Sequence, residues 1–265
     1  MDLGLKGKVA VVTGAASQQG VGRAIASVLA REGVDVAVTD IIFEGVQATA
    51  QAIRKEGANV LALKVDQSKY DEVQKAVVQI REKLGSIDIL VNNAALTGNM
   101  APAHKMTAGA WENEIDVNLN GIFYWTREVL PVMFQNKWGR VINISSMGGV
   151  IGAAGLPAYC ASKGGMIAFT KTLALEVAKK GVTVNTVSLG IIDSGVYSKG
   201  FMDPTVMKAI KRRLPMGRMG EPGEVAELVV FLASMKAAYI QGANIMIDGG
   251  ITLGISKDNL GIGED

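Results

Sequence analysis

The sequence is poorest in two residues that often bind metals, since its 265 residues include one cysteine and one histidine. This pair cannot form a zinc site rich in His or Cys, so we expect no metal cofactor. Cys160 has no partner for an intrachain disulfide, which favours a reducing, cytoplasmic location. A Ser-His-Asp triad would have to use His104, which lies in the loop-like stretch MAPAHKMT. A surface position or a contact with substrate is the better interpretation of this histidine.

Aromatic residues and unbalanced charge are also scarce. Aromatics make up 5% of the chain, and 27 basic residues against 25 acidic ones leave a formal net charge of +2. The longest basic run, residues 211–213, is too short for a nucleic-acid-binding surface. No apolar run approaches the roughly 18 residues that a membrane span needs, and the N-terminal stretch lacks a signal-peptide pattern. We therefore expect neither nucleic acid nor membrane among the partners.

Apolar sequence, by contrast, is abundant and regularly arranged. The apolar fraction is 49% and the charged fraction 20%, which is enough for a full core. Continuous apolar segments such as KVAVVTG, VDVAVTD and IDILVNN alternate with helical patterns and indicate about seven strands. Continuous apolar strands indicate a sheet covered on both faces, and strand–helix alternation indicates parallel strands. The sequence predicts one doubly wound α/β domain over residues 1–265, with ligands at the carboxyl ends of the strands.

Two segments depart from this alternation. Residues 191–221 form a long excursion between a strand and a helix at the ligand edge, and we expect a substrate lid there. Residues 251–265 have little periodicity and are predicted to contact a neighbouring subunit. The excursion contains five basic residues: Lys199, Lys208, Lys211, Arg212 and Arg213. They would attract an anionic or polyhydroxylated substrate, or else form a solvated helix face.

The stretch TGAASQQGVG, residues 13–22, lies between the first strand and the first helix. Glycines in that position let backbone N–H groups approach a pyrophosphate, and the helix dipole favours the negative charge. Gly14, Gly20 and Gly22 fit this description. The alternative is an ordinary turn that carries three glycines.

Asp40 ends the second strand, 18 residues beyond Gly22. A carboxylate there accepts hydrogen bonds from the adenosine ribose hydroxyls, and the alternative is a plain helix N-cap. A 2′-phosphate beside Asp40 would be repelled and would need an arginine. The nearby Gln19 and Ile41 are not basic, so NAD is the predicted cofactor rather than NADP.

Tyr159 and Lys163 are four residues apart, so they share one face of a helix. A surface pair is the alternative, but this pair follows a strand that ends in Ser145 and Ser146, at the ligand edge of the sheet. A phenol has a pKa near 10, and a neighbouring ammonium group favours the phenolate and lowers that value. The pair therefore suits general acid–base chemistry.

At these residues the chain resembles the short-chain dehydrogenase/reductase family, over nearly its full length. The resemblance implies a Rossmann fold with strand order 3-2-1-4-5-6-7 and direct hydride transfer without a metal. It implies Tyr159 as general acid/base, Lys163 on the nicotinamide ribose, Ser146 on the substrate oxygen and Asn118 in a proton relay, with Ser145 as the alternative to Ser146. The motifs that carry it are TG…GVG, NNAA at 92–95, DVNLNGIF, a serine thirteen residues before Tyr159, YCASK, RMGEPGEVA and IDGG.

The resemblance also implies which residues surround the ligands. Asp66 would contact the adenine amino group, and the turn after the sixth strand would hold the nicotinamide carboxamide. The predicted cofactor residues are Gly14, Ser17, Gln19, Gly20, Val21, Asp40, Ile41, Asp66, Gln67, Asn93, Ala94, Tyr159, Lys163, Gly190, Ile191 and Ser194. The predicted substrate residues are Ser146, Met147, Tyr159, His104 and Tyr197.

The glycine loop departs from the family pattern, because five residues separate Gly14 from Gly20 where three are usual. We expect Ser17, Gln18 and Gln19 to form a wider loop over the adenosine ribose or the pyrophosphate, with Ser17 or a glutamine donating a hydrogen bond. Ala95 and Leu189 also differ from the usual glycine and proline, and neither change removes a catalytic group.

Three functions remain open at this point. The leading one is an NAD-dependent dehydrogenase of a secondary alcohol, such as a sugar, polyol, hydroxy acid or cyclic alcohol. The alternative is a 3-oxoacyl-carrier-protein reductase, a role that usually goes with NADPH and that Asp40 disfavours. A non-catalytic NAD-binding regulator would have lost a catalytic residue, and this chain has not. Family members are commonly tetramers packed through the helix with Tyr159, the long helix before it and the last strand, so a homotetramer, or a homodimer, is expected.

Overall fold

The computed structural model describes residues 2–55, 57–195, 205 and 212–254. Within this part of the chain, seven parallel strands form one sheet in the order β3-β2-β1-β4-β5-β6-β7. This order reverses beside β1 and confirms the predicted doubly wound Rossmann domain. The strands are β1 (Val9–Thr13), β2 (Asp35–Asp40), β3 (Val60–Lys64), β4 (Ile89–Asn92), β5 (Gly139–Ser146), β6 (Val182–Leu189) and β7 (Asn244–Ile247).

Helices cover both faces of the sheet, as the continuous apolar strands predict. On one face α1, α2 and α8 pack on the strands through residues such as Ile25, Val46 and Val229. On the other face α3, α5 and α7 pack through Ile80, Trp125 and others. Among the described residues the helices are α1 (Val21–Arg31), α2 (Phe43–Arg54), α3 (Tyr70–Leu84), α4 (Ala108–Ile115), α5 (Gly121–Asn136), α6 (Gly148–Ile151), α7 (Pro157–Val177) and α8 (Pro222–Ala233).

The long helix predicted before the helix with Tyr159 is interrupted. A single π-helical turn, Asp116–Asn120, separates α4 from α5. Such turns insert one extra residue into the hydrogen-bond ladder and often occur at functional sites. The turn contains Asn118, so the interruption falls at one of the predicted catalytic residues.

The predicted lid is described only at its two ends. Ile192 pairs with Gly220 in a short parallel bridge, and Asp193 N donates a hydrogen bond to Gly220 O at 2.8 Å. The two ends of the excursion therefore meet beside β6. Residues 196–204 and 206–211 of the predicted lid, and residues 255–265 of the predicted tail, lie outside the described residues.

Among the described residues, no helix is both long and apolar enough to cross a bilayer. The same part of the chain contains no cluster of three or more His, Cys, Asp or Glu side chains that could hold a metal ion.

Candidate active site

The carboxyl ends of β1, β4, β5 and β6 lie along one edge of the sheet, because neighbouring strands are parallel and in register. Thr13, Asn92, Ser146 and Leu189 are the last residues of these strands. The motifs singled out in the sequence follow these ends, so the fold brings them to one edge, next to the switch in strand order where such sheets bind ligands.

The glycine loop is closely packed, and its three glycines have no room for a side chain. A Cβ on Gly14 would lie 2.5 Å from Ala94 Cα, and one on Gly20 would lie 2.8 Å from Ser17 Cβ. A Cβ on Gly22 would collide with the carbonyl oxygen of Gly14. Gly14 also has φ +69°, a left-handed conformation that favours glycine. These contacts explain why the loop keeps glycine at both ends of its insertion.

Gly20 is the N-cap of α1, and no side chain caps the helix. The N–H groups of a first helical turn have no partner within the helix. Together with the helix dipole they form an anion site. The glycines leave space for a ligand close to the backbone, and no side chain caps the start of α1. Both features fit the pyrophosphate of a dinucleotide.

Two neighbouring glutamines of the loop point in different directions. Gln18 Nε2 donates to Ala16 O at 2.9 Å, Gly45 O at 3.1 Å and Thr49 Oγ1 at 3.2 Å. The bonds to Gly45 and Thr49 direct the amide group of Gln18 to α2 and use its N–H donors there. Gln19 contacts Gly195 instead. Of the three residues that the sequence predicts over the dinucleotide, Gln18 is therefore turned away. Ser17 and Gln19 remain as candidates to donate the hydrogen bond.

A cavity of about 680 Å³ runs along this edge of the sheet beside the glycine loop. Its walls include eight of the predicted cofactor residues: Gly14, Ser17, Asp40, Ile41, Asp66, Gln67, Asn93 and Ala94. Val65 and Leu96 also line it. The volume and the lining suit the adenosine half of a dinucleotide.

Asp40 is held rigidly at the end of β2. Its Oδ2 accepts a hydrogen bond from Ala16 N, and its Oδ1 accepts one from Ile42 N, both at 3.1 Å. The helix that follows has Ile42 as its N-cap, so the alternative role of Asp40 as a plain N-cap does not apply. The carboxylate instead joins the glycine loop to the start of α2 and lines the cavity.

Gln67 carries an unused acceptor on the cavity wall. Its Nε2 donates to Val117 O at 2.8 Å and to Ala94 O at 3.3 Å. Its Oε1 is buried and has no hydrogen-bond partner in the described part of the chain. A buried acceptor without a donor is costly, so a donor on a bound ligand fits this position. Asp66 beside it accepts from both the backbone N and the hydroxyl of Ser68.

The sequence patterns missed Thr13, the last residue of β1. Its Oγ1 accepts hydrogen bonds from Asn93 N at 3.0 Å and Ala94 N at 2.9 Å. Asn93 Nδ2 in turn donates to the carbonyl oxygens of Thr13 and Gly14. These bonds fix the glycine loop against the segment after β4. A polar residue at the end of an otherwise apolar strand was the available signal.

Lys163 and Tyr159 lie on one face of α7, as their spacing predicts. The Lys163 side chain is buried, with 2% of the residue exposed, and its Nζ donates to Ile144 O at 2.7 Å. Burial lowers the pKa of Lys163 from 10.5 to about 7. The same Nζ lies 5.8 Å from the centre of the Tyr159 ring. The half-buried Tyr159 therefore has a cation beside it whose proton is easily exchanged near neutral pH.

The two serines at the end of β5 have different surroundings. Ser145 is buried and donates to Lys163 O at 3.0 Å, so its hydroxyl faces α7. Ser146 is only half-buried and accepts from Gly148 N. A Cβ on Gly148 would lie 3.5 Å from Ser146 Oγ and 3.6 Å from a Tyr159 ring carbon. Ser146 therefore lies on the Tyr159 side, which favours it over Ser145.

Asn118 is fully buried in the π-helical turn. Its Oδ1 accepts from Leu96 N at 2.7 Å, and its Nδ2 donates to Leu96 O at 2.9 Å. Nδ2 also lies 3.3 Å from the hydroxyl of Ser162, the residue before Lys163. The side chain thus joins the segment after β4 to α7. Its role in a proton relay stays a prediction.

The remaining predicted residues that the structure describes do not line the large cavity. Gly190 has no room for a Cβ, which would lie 2.5 Å from Asp248 Cα, and Ile191 lines a separate cavity of about 70 Å³. Met147 N donates to Leu189 O at 2.7 Å. His104 lies exposed in a short 3-10 turn and does not line the large cavity. Tyr197 lies outside the described residues, and Ser194 N donates to Ile192 O.

Glu114 is a further residue near the site that the patterns did not reveal. It is fully buried in α4, and its Oε1 accepts from Asn99 N at 3.3 Å. It lies four residues before Asn118, so both side chains bind the segment that follows β4. A charged residue four positions before the predicted catalytic Asn118, on the same helical face, was the only signal in the sequence.

The fold and the cavity fit a dinucleotide-binding α/β protein, and the predicted catalytic residues Ser146, Tyr159 and Lys163 lie together at the ligand edge of its sheet. A family model described as enoyl-(acyl carrier protein) reductase matches residues 14–252. The 3-oxoacyl-[acyl-carrier-protein] reductase FabG of Aquifex aeolicus is 38% identical over 252 residues, covering 95% of this chain and all of the relative. Its namesake from Vibrio harveyi is 39% identical and that from Thermotoga maritima 36%, each covering 94% of this chain and 99% of the relative.

The chain belongs to the short-chain dehydrogenase/reductase family. This membership makes it an oxidoreductase that interconverts a hydroxyl-bearing carbon and a ketone with a nicotinamide dinucleotide. The identity of the substrate and the choice between NAD and NADP are finer questions.

Proposed function

We propose that this protein reduces the keto group of a 3-oxoacyl thioester to a secondary alcohol. The observation that carries the proposal is the set of relatives named 3-oxoacyl-[acyl-carrier-protein] reductase, which are 36–39% identical over at least 92% of this chain. The placement of Ser146, Tyr159 and Lys163 supports the reaction type. This proposal replaces the sugar or polyol dehydrogenase favoured by the sequence.

A nicotinamide dinucleotide held by the glycine loop and by the cavity residues around Asp40 would supply a hydride to the carbonyl carbon, with the electron pair of the C=O π bond going to the carbonyl oxygen. Ser146 donates a hydrogen bond to that oxygen and stabilises its developing negative charge. Tyr159 donates the proton that completes the alcohol. Lys163 stabilises the resulting phenolate, and its pKa of about 7 lets it return a proton to Tyr159 near neutral pH.

We further propose NAD(H) as the cofactor, from the position of Asp40. Its carboxylate is fixed by hydrogen bonds from Ala16 N and Ile42 N, so it cannot turn away from a 2′-phosphate without losing both. Like charges so close disfavour NADPH. This departs from the NADPH expected of such a reductase. Changing Asp40→Ser should improve kcat/KM for NADPH relative to NADH by about tenfold or more, equal to roughly 1.4 kcal/mol. An unchanged ratio would refute the role of Asp40.

The same carboxylate favours a second candidate, the NAD-linked oxidation of a secondary alcohol. The two candidates differ in substrate and direction, so one experiment separates them. The purified enzyme is mixed with acetoacetyl-coenzyme A and NADH or NADPH, and the absorbance of the reduced dinucleotide is followed. In parallel, sugars, polyols, hydroxy acids and cyclic alcohols are tested with NAD. Turnover of the thioester well above every alcohol supports the proposal, and the reverse order supports the second candidate.

We also propose that the protein works as a homo-oligomer, with α5 and α7 at the contact. Phe123 on α5 is 45% exposed and Leu175 on α7 is 83% exposed. Large apolar side chains on two adjacent helices are typical of a surface that another subunit covers. The cytoplasmic location and the absence of nucleic-acid partners stay predictions.

A further inference from the structure

The two extra residues of the glycine loop are the least expected feature of the dinucleotide site. Gln18 and Gln19 are neighbours of the same type, yet they contact opposite sides of the cleft. Gln18 makes two hydrogen bonds to α2, at Gly45 O and Thr49 Oγ1, and a third to Ala16 O within the loop. Arg23 Nη1 holds the backbone of the same residue by donating to Gln18 O at 2.7 Å. Gln18 is therefore an anchor that fixes the start of the insertion.

Gln19 extends in the other direction, to the turn after β6. A Cβ on Gly195 would collide with Gln19 Oε1, and it would lie 3.0 Å from Gln19 Cβ and 3.2 Å from Gln19 Cδ. The glutamine side chain therefore occupies the space that a side chain at position 195 would need. Gly195 also has φ +81°. The contact joins the pyrophosphate side of the cleft to residues 190–195, which are predicted to hold the nicotinamide.

Gln19 also lies directly before Gly20, the uncapped N-cap of α1. The backbone N–H groups of that helix start form the expected anion site. The amide group of Gln19 has two N–H donors, and it is carried on the segment that leads into this site. A hydrogen bond from a neutral amide to a charged phosphate is stronger than one between neutral groups.

We propose that Gln19 is a clasp over the dinucleotide. Its amide oxygen and its stem lie against Gly195, and its amide N–H group donates a hydrogen bond to the pyrophosphate. Gln18 anchors the loop that positions it. Gln19 is thus a positioning residue for the cofactor, and its contribution depends on the phosphates rather than on the adenosine. The proposal rests on the dinucleotide site and is independent of which ketone is the substrate.

The test compares the binding of ADP-ribose, which contains the pyrophosphate, with that of adenosine, which lacks it. Both affinities are measured by isothermal titration calorimetry on the full-length protein. Gln19→Ala should weaken ADP-ribose about tenfold and adenosine less than twofold. Gln19→Glu should weaken ADP-ribose further, because a carboxylate near the phosphates adds repulsion. Gln47→Ala, an exposed glutamine on α2, is the matched control and should change neither affinity.

Gln18→Ala separates the anchor from the clasp. Loss of its bonds to α2 should lower the melting temperature and weaken both ligands, since the loop and the adenosine wall move together. The clasp is refuted if Gln19→Ala binds ADP-ribose as tightly as the wild type, or loses adenosine affinity by the same factor. Failure of the wild-type protein to bind ADP-ribose would instead contradict the dinucleotide site itself, and the clasp with it.

Discussion

Replacing Lys163 with methionine tests the electrostatics of α7, the helix that carries Tyr159 and Lys163. The ammonium group is buried, and its one hydrogen bond in the described structure goes to Ile144 O. Burial lowers its pKa from 10.5 to about 7 in the folded protein. Methionine has a similar length and no charge, so Lys163→Met removes the titration while keeping most of the volume.

The expected pH dependence follows from proton linkage. The folded pKa lies below the unfolded one, so between about 7 and 10.5 the unfolded chain binds more protons. Stability from this group therefore rises with pH across that window. Charging Lys163 costs the folded protein about 5 kcal/mol at pH 6, where the penalty is nearly complete, and about 2 kcal/mol at pH 9. The difference between the two pH values is about 3 kcal/mol.

The assay is urea unfolding at pH 6 and pH 9, without dinucleotide and at one protein concentration. Lys163→Met should gain stability over the wild type at pH 6, and this gain should shrink by about 3 kcal/mol at pH 9. Lys171→Met, an exposed lysine on the same helix, is the control and should show no such change. Parallel pH dependence in the wild type and Lys163→Met would refute the reasoning.

Three further predictions concern the loop, the helix break and the surface. Gly14→Ala should abolish NADH binding and lower stability by at least about 1–3 kcal/mol, because of backbone strain at Gly14 and because its Cβ would collide with Ala94. NADH fluorescence measures the binding and thermal unfolding measures the stability. Normal NADH binding would contradict the role of the glycine loop. Asn118→Leu should lower the free energy of unfolding in urea by about 1–3 kcal/mol, because two half-buried backbone groups of Leu96 lose their partner. A loss below about 0.5 kcal/mol would contradict this role of Asn118. Phe123→Asp should reduce the mass seen by light scattering with unchanged circular dichroism, and an unchanged mass would exclude α5 from the subunit contact.

The fold could be predicted from sequence because its signals are local and repeated. Uninterrupted apolar runs such as Val9–Thr13 become strands buried on both sides. The helices between them carry apolar residues at helical spacing. Short connections then leave few ways to arrange parallel strands. The spacing of Tyr159 and Lys163 was equally informative, because four residues on a helix fix a common face.

The details that sequence could not supply depend on contacts between distant segments. The π-helical turn at Asn118 forms where its side chain binds Leu96, 22 residues away, and no local propensity marks that turn. Gln18 and Gln19 have the same side chain, so only the positions of Thr49 and Gly195 decide which way each one points. The burial of Glu114 likewise depends on the path of the segment after β4.

The central claim is that Tyr159 transfers the proton while a hydride reduces the ketone. The most direct measurement is the steady-state reduction of acetoacetyl-coenzyme A by NADH with wild-type protein and Tyr159→Phe, together with NADH binding followed by fluorescence. The account predicts a loss of kcat of about 10²–10⁴-fold, the usual contribution of general acid–base catalysis, with NADH affinity unchanged within about twofold. Full turnover by Tyr159→Phe, with either dinucleotide, would contradict it.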